Sequence, residues 1–149
     1  MTAVEDIDHQ ILGLLAGDGR MSFTDLGKAT GLSTSAVHQR VRRLEQRGVI
    51  RGYAARIDAT GIGLPLTAFV AVRPFDPAAP DDPPERLAAI PEIEACYSIA
   101  GEDNYLLKVR VATPRDLEEL LARIRTRANV STRTTVVLST AFEGRPPRL

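Results

Sequence analysis

Tryptophan is absent from the 149 residues, and cysteine occurs once, as Cys96. One thiol can neither close an internal disulfide nor supply a ligand cluster, so the expected setting is a reducing one, the cytoplasm. Cys96 is expected to be a small buried apolar side chain. Histidine is nearly as scarce. His9 and His38 both fall in the first third of the chain, and no P-loop, dinucleotide-binding glycine pattern or metal-ligand spacing occurs elsewhere. The chain is therefore read as no enzyme: no catalytic residue, metal ligand or cofactor is expected, and the paired acids Asp81-Asp82 and Glu118-Glu119 read as helix caps and solvated faces. No apolar run approaches the roughly 18 residues of a membrane span, and the opening MTAVEDIDHQ is acidic where a secretory signal is basic. A membrane partner is not expected.

Net charge is missing too, since nineteen Lys plus Arg balance nineteen Asp plus Glu. No global field draws the protein to nucleic acid, so any such attraction is local. One patch supplies it. From Arg40 to Arg56 there are six arginines (Arg40, Arg42, Arg43, Arg47, Arg51, Arg56) against the single acid Glu45. The remaining composition, 44% hydrophobic and 26% charged, is that of a folded globular chain.

Three helices are predicted in the first fifty residues. Ile7, Ile11, Leu14 and Leu15 recur at helical spacing, with Asp6 and Asp8 at the end where the helix dipole favours acids. A second helix opens at Ser22-Phe23-Thr24-Asp25, with capping-box spacing, buries Phe23, Leu26 and Ala29, and stops at Gly31. Ser33 caps a third, whose Val37, Val41 and Leu44 share one face, and Gly48 ends it. Residues 1–50 thus form a helix-turn-helix head. Alternation at Val49, Tyr53, Ala55 and Ile57 predicts a strand in a linker over 51–65.

Residues 66–149 change period repeatedly. A strand over Leu66–Val72 precedes the loop FDPAAPDDPP and a short helix capped at Asp82. Two alternating runs follow, Ile93–Ile99 and Tyr105–Val111, about a turn at 101–104. Thr113-Pro114-Arg115-Asp116 opens an amphipathic helix, and a last strand runs from about Ser131 to Ala141. The order β-α-β-β-α-β makes the fold class α+β, a helix-turn-helix domain joined by a strand linker to a ferredoxin-like domain with two helices on one sheet face. Leu66, Ala68, Val70, Leu106, Val136 and Leu138 are expected to supply apolar groups to both faces, which predicts a second subunit over the open one. The tail EGRPPRL is expected to fray.

At about 100° per residue, His38, Gln39 and Arg42 project within roughly 60° of Ser35 on the third helix, opposite Val37, Val41 and Leu44. Such side chains read base edges in the major groove. Arg40, Arg43 and Arg47 along a flank are candidates for the phosphate backbone, and Ser33 and Thr34 at the helix start are further candidate DNA contacts. An arginine-rich helix face taken alone is more often mere solvated surface; the tri-helical spacing about Gly31 and the near-absence of acids favour DNA.

The chain resembles the Lrp/AsnC (feast/famine) family of bacterial transcriptional regulators. The resemblance is carried by Asp6-Ile7-Asp8 with Ile11-Leu12, by GLSTSAVHQRVRRLEQRGVIRGYAARID (31–58), by SIAGEDNYLLKVRV (98–111) and by VSTRTTVVL (130–138). It implies sequence-specific transcriptional regulation at pseudo-palindromic double-stranded DNA. It also implies an amino-acid effector and a homodimer built by sheet pairing, assembling into a larger ring, commonly an octamer. Two departures stand out. Gly27 replaces a usual alanine, and the family's G-x-x-D loop appears as Gly101-Glu102-Asp103-Asn104, with an amide in fourth place. Candidate effector contacts are Tyr97, Ser98, Gly101, Glu102, Asp103, Asn104 and Thr135: the acids or the amide for an ammonium, backbone near Gly101 for a carboxylate. The alternative is an oligomeric amino-acid sensor that regulates an enzyme and never touches DNA.

Overall fold

In the computed structural model, which describes residues 5–149, hydroxyl side chains open three of the helices. Ser22 accepts from Asp25 N at the start of α2 (Phe23–Thr30), Ser33 from Ala36 N at the start of α3 (Thr34–Gln46), and Thr113 from Asp116 N at α5 (Pro114–Ala128). Each satisfies a backbone donor that the helix itself cannot. α1 (Asp6–Gly17) starts after Glu5 without a side-chain cap. The chain divides into two compact units, Met1–Arg56 with Phe142–Leu149, and Ile57–Ala141.

In the first unit Ile11, Leu26, Val37 and Val41 form a fully buried cluster lined by Leu14, Leu15, Met21, Leu32 and Ile50. Burying each of the four side chains contributes about 1.5–3 kcal/mol. Gly31, at φ +75, makes the turn between α2 and α3, a conformation open to glycine because it has no Cβ. α2 buries Leu26 and Gly27, whereas Phe23 and Ala29, expected inside, are exposed. Eight residues present only a narrow stripe to the core. Gly27 fills that stripe because a Cβ there would lie 2.6 Å from the Leu32 carbonyl oxygen.

The expected linker strand is not formed. Residues 51–58 carry no strand assignment, because alternating side chains make a strand only when another backbone answers their N–H and C=O groups. Tyr53 instead donates its hydroxyl to Glu45 of α3 at 2.9 Å. The tail does not fray: Arg56 Nη2 donates to the Glu143 carbonyl at 3.5 Å, the Arg145 guanidinium sits 3.9 Å from the Phe142 ring centroid, and Leu149 lies beside Gly13.

The second unit has the predicted order: β1 (Leu66–Pro74), α4 (Pro83–Leu87), β2 (Ile93–Ser98), β3 (Tyr105–Val111), α5, β4 (Val130–Val136). The four strands pair antiparallel as β2-β3-β1-β4. Val70, Val72, Leu107 and Val109 bury against Leu87, Leu120 and Ile124 of the helices. The register corrects the expected open face. Leu66, Ala68, Val70 and Val136 share the helix-covered side, and Leu138 lies beyond the sheet, 96% exposed. The open face is a mixed surface whose central row runs Tyr97, Leu106, Ala71, Arg133. β4 ends at Val136 rather than Ala141; Val137 still donates to the Thr67 carbonyl at 2.9 Å, and in this register β1 has no residue to set against those beyond 138. Cys96 is exposed, not buried. At α4 the Asp82 side chain makes no cap bond and accepts from Arg86 Nε at 2.9 Å instead.

Candidate nucleic-acid interface and effector site

On α3 the buried residues are Val37, Val41 and Leu44, while Ser35, His38, Gln39 and Arg42 are all exposed. Helical geometry thus sets four hydrogen-bonding tips opposite the seam that holds the helix to the head. The hydroxyl of Ser35 lies 3.2 Å from that of Ser33. His38 packs against Phe23, ring centroids 5.2 Å apart and planes at 59°. Exposed Phe23, expected in the core, therefore borders this face. Thr34, Arg43 and Arg47 are exposed beside it.

Arg40 differs. Its guanidinium donates to Glu5 and to Asp8, each at 2.9 Å, and its side chain is 23% exposed. Hydrogen bonds from the Glu5 carboxylate first, then Asp8, hold its pKa above the ordinary arginine value. Asp8 itself is buried. The expected phosphate contact gives way to an internal clasp between α3 and the start of α1. No spacing rule pairs residues 32 apart, so the sequence alone carries no sign of this clasp.

In the second unit the loop between β2 and β3 places Gly101 at φ +149, a backbone geometry that disfavours side chains. Both of its acids are engaged: Arg133 of β4 pairs with Asp103 and, at 3.4 Å, with Glu102, while Arg73 Nε stands 3.8 Å from Asp103. Tyr97 and Thr135 are exposed on the open face, and Ser98 lies opposite Tyr105 on the helix side. These candidates do not converge on one cavity. A space of about 220 Å³ is lined by Arg73, Pro74, Pro77, Ala79, Asp81 and Asn104, so Asn104 alone of the seven borders it. A larger one, about 540 Å³, lies by Glu92, Glu94, Arg110 and Arg123. There the Arg123 guanidinium bonds Glu92 and lowers its pKa against the opposing effect of burial. Among the described residues no group of three or more His, Cys, Asp or Glu side chains is placed to hold a metal, and no helix is long and apolar enough to cross a membrane.

A helix-turn-helix whose third helix exposes a polar face, followed along the chain by an antiparallel α+β unit, is the architecture of a transcriptional regulator. Residues 5–45 match the AsnC-type helix-turn-helix domain and residues 67–147 the Lrp/AsnC ligand binding domain. The chain belongs to the Lrp/AsnC family. It is 54% identical over 143 residues to the HTH-type transcriptional regulator LrpA of Mycobacterium tuberculosis, covering 96% of this chain and 95% of that one. The feast or famine regulatory protein of M. tuberculosis, solved in complex with L-methionine, superposes with a TM-score of 0.95 at 54% identity, over 97% of this chain and 99% of that one. Bacillus subtilis LrpC superposes with a TM-score of 0.86 at 29% identity, over 96% and 100%.

Proposed function

We propose that the protein is a cytoplasmic regulator working as a homodimer, or as a ring of such dimers, whose paired α3 helices read a pseudo-palindromic operator while the second unit tunes that binding through an amino acid. The observation that carries the reading is the exposure of Ser35, His38, Gln39 and Arg42 together, opposite buried Val37, Val41 and Leu44. Gln39 suits adenine and Arg42 guanine in the major groove. Ser33 and Thr34 at the helix start, with Arg43 and Arg47 on its flank, suit phosphates. Two heads related by a two-fold axis meet half-sites about one helical turn apart, roughly 34 Å, or a multiple of it.

The amino-acid effector is supported by the methionine-bound relative. The dimer is supported by the open sheet face, where Phe69 and Leu106 are only half-buried in the single chain. Differential affinity of the effector for two assemblies then links ligand to DNA. Gel retardation of the gene's own upstream DNA at two salt concentrations tests the reading. A complex that weakens with salt supports it. Failure to retard any native fragment, with the protein folded, favours a sensor that regulates an enzyme.

A further inference from the structure

Phe23 stands at the first position of α2, where the Ser22 hydroxyl accepts from Asp25 N at 3.0 Å and donates to the Asp25 carboxylate at 2.8 Å. The cap fixes its backbone. Buried Leu26 and Gly27 tie α2 to the head, yet the Phe23 ring takes no part in the buried cluster and is 37% exposed. Core packing does not account for it. The ring it does meet belongs to His38, in the middle of the exposed face of α3.

We propose that Phe23 is a positioning residue for base reading: its ring holds the His38 imidazole in one orientation, so that a ring nitrogen meets a base edge without a search among rotamers. The assignment rests on the DNA reading above and deepens it. An unsupported side chain on an exposed helix face changes rotamer within nanoseconds, and the freedom it loses on meeting DNA is subtracted from binding. A neighbouring ring removes that freedom beforehand. Centroids 5.2 Å apart with planes at 59° fall within the tilted geometry that aromatic pairs favour over a flat sandwich. Neither nitrogen of His38 makes a hydrogen bond among the described residues, so Phe23 orients the imidazole while leaving its donor and acceptor to a base. This favours a part in specificity over a part in general affinity. A phosphate charge is met from many directions, whereas a base edge offers its donors and acceptors in one.

The test joins NMR of the free full-length protein to DNA binding. The chain holds two histidines, His9 and His38, so with isotope-labelled histidine the His38 ring signals are the pair missing from His38→Ala. In the wild type they are expected to cross-relax with the Phe23 ring and to carry a ring-current shift that Phe23→Ala abolishes. Anisotropy titrations then use the native upstream site, each single base-pair variant of it, and scrambled DNA. Phe23→Ala is expected to weaken the native site about three- to tenfold, the scale of one aromatic pair, and scrambled DNA by less than about twofold, with the salt slope unchanged because no phosphate contact is lost. The lost discrimination should fall at the base pair that His38→Ala also ceases to read. The double variant should bind no worse than His38→Ala, since the two side chains act as one, and Phe23→Tyr, which keeps the ring, should retain the wild-type profile. A wild-type His38 ring without contact to Phe23, a reading profile untouched by His38→Ala, double-variant losses that add, or a Phe23→Ala defect equal on native and scrambled DNA overturns the positioning role alone. A wild type that favours no sequence over scrambled DNA overturns the DNA reading as well.

Discussion

Arg40 of α3 donates through Nη1 to Asp8 of α1 at 2.9 Å, and Asp8 is buried to 3% exposure. Removing the arginine strands a carboxylate away from water. Breaking a fully buried pair costs about 3–5 kcal/mol. Because Arg40 is part-exposed and water can follow it in, Arg40→Ala is expected to destabilise the head by about 1–3 kcal/mol. Urea unfolding followed by circular dichroism measures this, and an unchanged midpoint would show the clasp to be idle.

Arg43 is expected to behave in the opposite way. It is exposed and makes no ion pair among the described residues, so Arg43→Ala leaves stability within about 0.5 kcal/mol. If it grips a phosphate, it reduces the slope of log K against log salt by about one. Fluorescence anisotropy across a salt series checks both arginines: Arg40→Ala, where still folded, keeps the slope, and Arg43→Ala lowers it.

Gly27→Ala sets two effects against each other. Alanine favours a helix by about 1 kcal/mol over glycine, but its methyl would stand 2.6 Å from the Leu32 carbonyl oxygen. Backbone has to move, and forced overpacking costs about 1–3 kcal/mol. A net loss of stability is expected, read as a lower thermal midpoint. A rise would mean that the α2–α3 turn relaxes freely.

Local pattern made the helices, the turn at Gly31 and the strand order legible, since each rests on spacing within a few residues: Ser33 before Ala36, Thr113 before Asp116, Val37 before Val41. What pattern could not supply is pairing across the fold. The Arg40–Asp8 clasp and the Arg133 pairs with Glu102 and Asp103 join residues about thirty or more apart. Phe23 looked like core because it is apolar at helical spacing, yet it packs on His38 at the surface. Which apolar residues line the open sheet face is not legible in the sequence, because register, which assigns side chains to faces, depends on both strands.

Two tyrosines should titrate late. Tyr105, bonded to Asp81, and Tyr53, desolvated and bonded to Glu45, are each pushed up to about 12. The folded state keeps protons that the unfolded chain sheds near pH 10. Their stabilisation is therefore complete below pH 10 and is lost as pH climbs towards 12. Ultraviolet tyrosinate titration should show two late steps, one of which Tyr105→Phe abolishes. Ionisation of both near pH 10 in the folded protein would refute the two bonds.

The most direct measurement of the account is the ratio of specific to non-specific DNA affinity for the wild type and for Arg42→Ala. If Arg42 reads a base edge, the variant loses about 1–3 kcal/mol on the native site and far less on scrambled DNA, so the ratio falls. Equal weakening on both sequences, or none on either, would contradict a reading face built on Ser35, His38, Gln39 and Arg42.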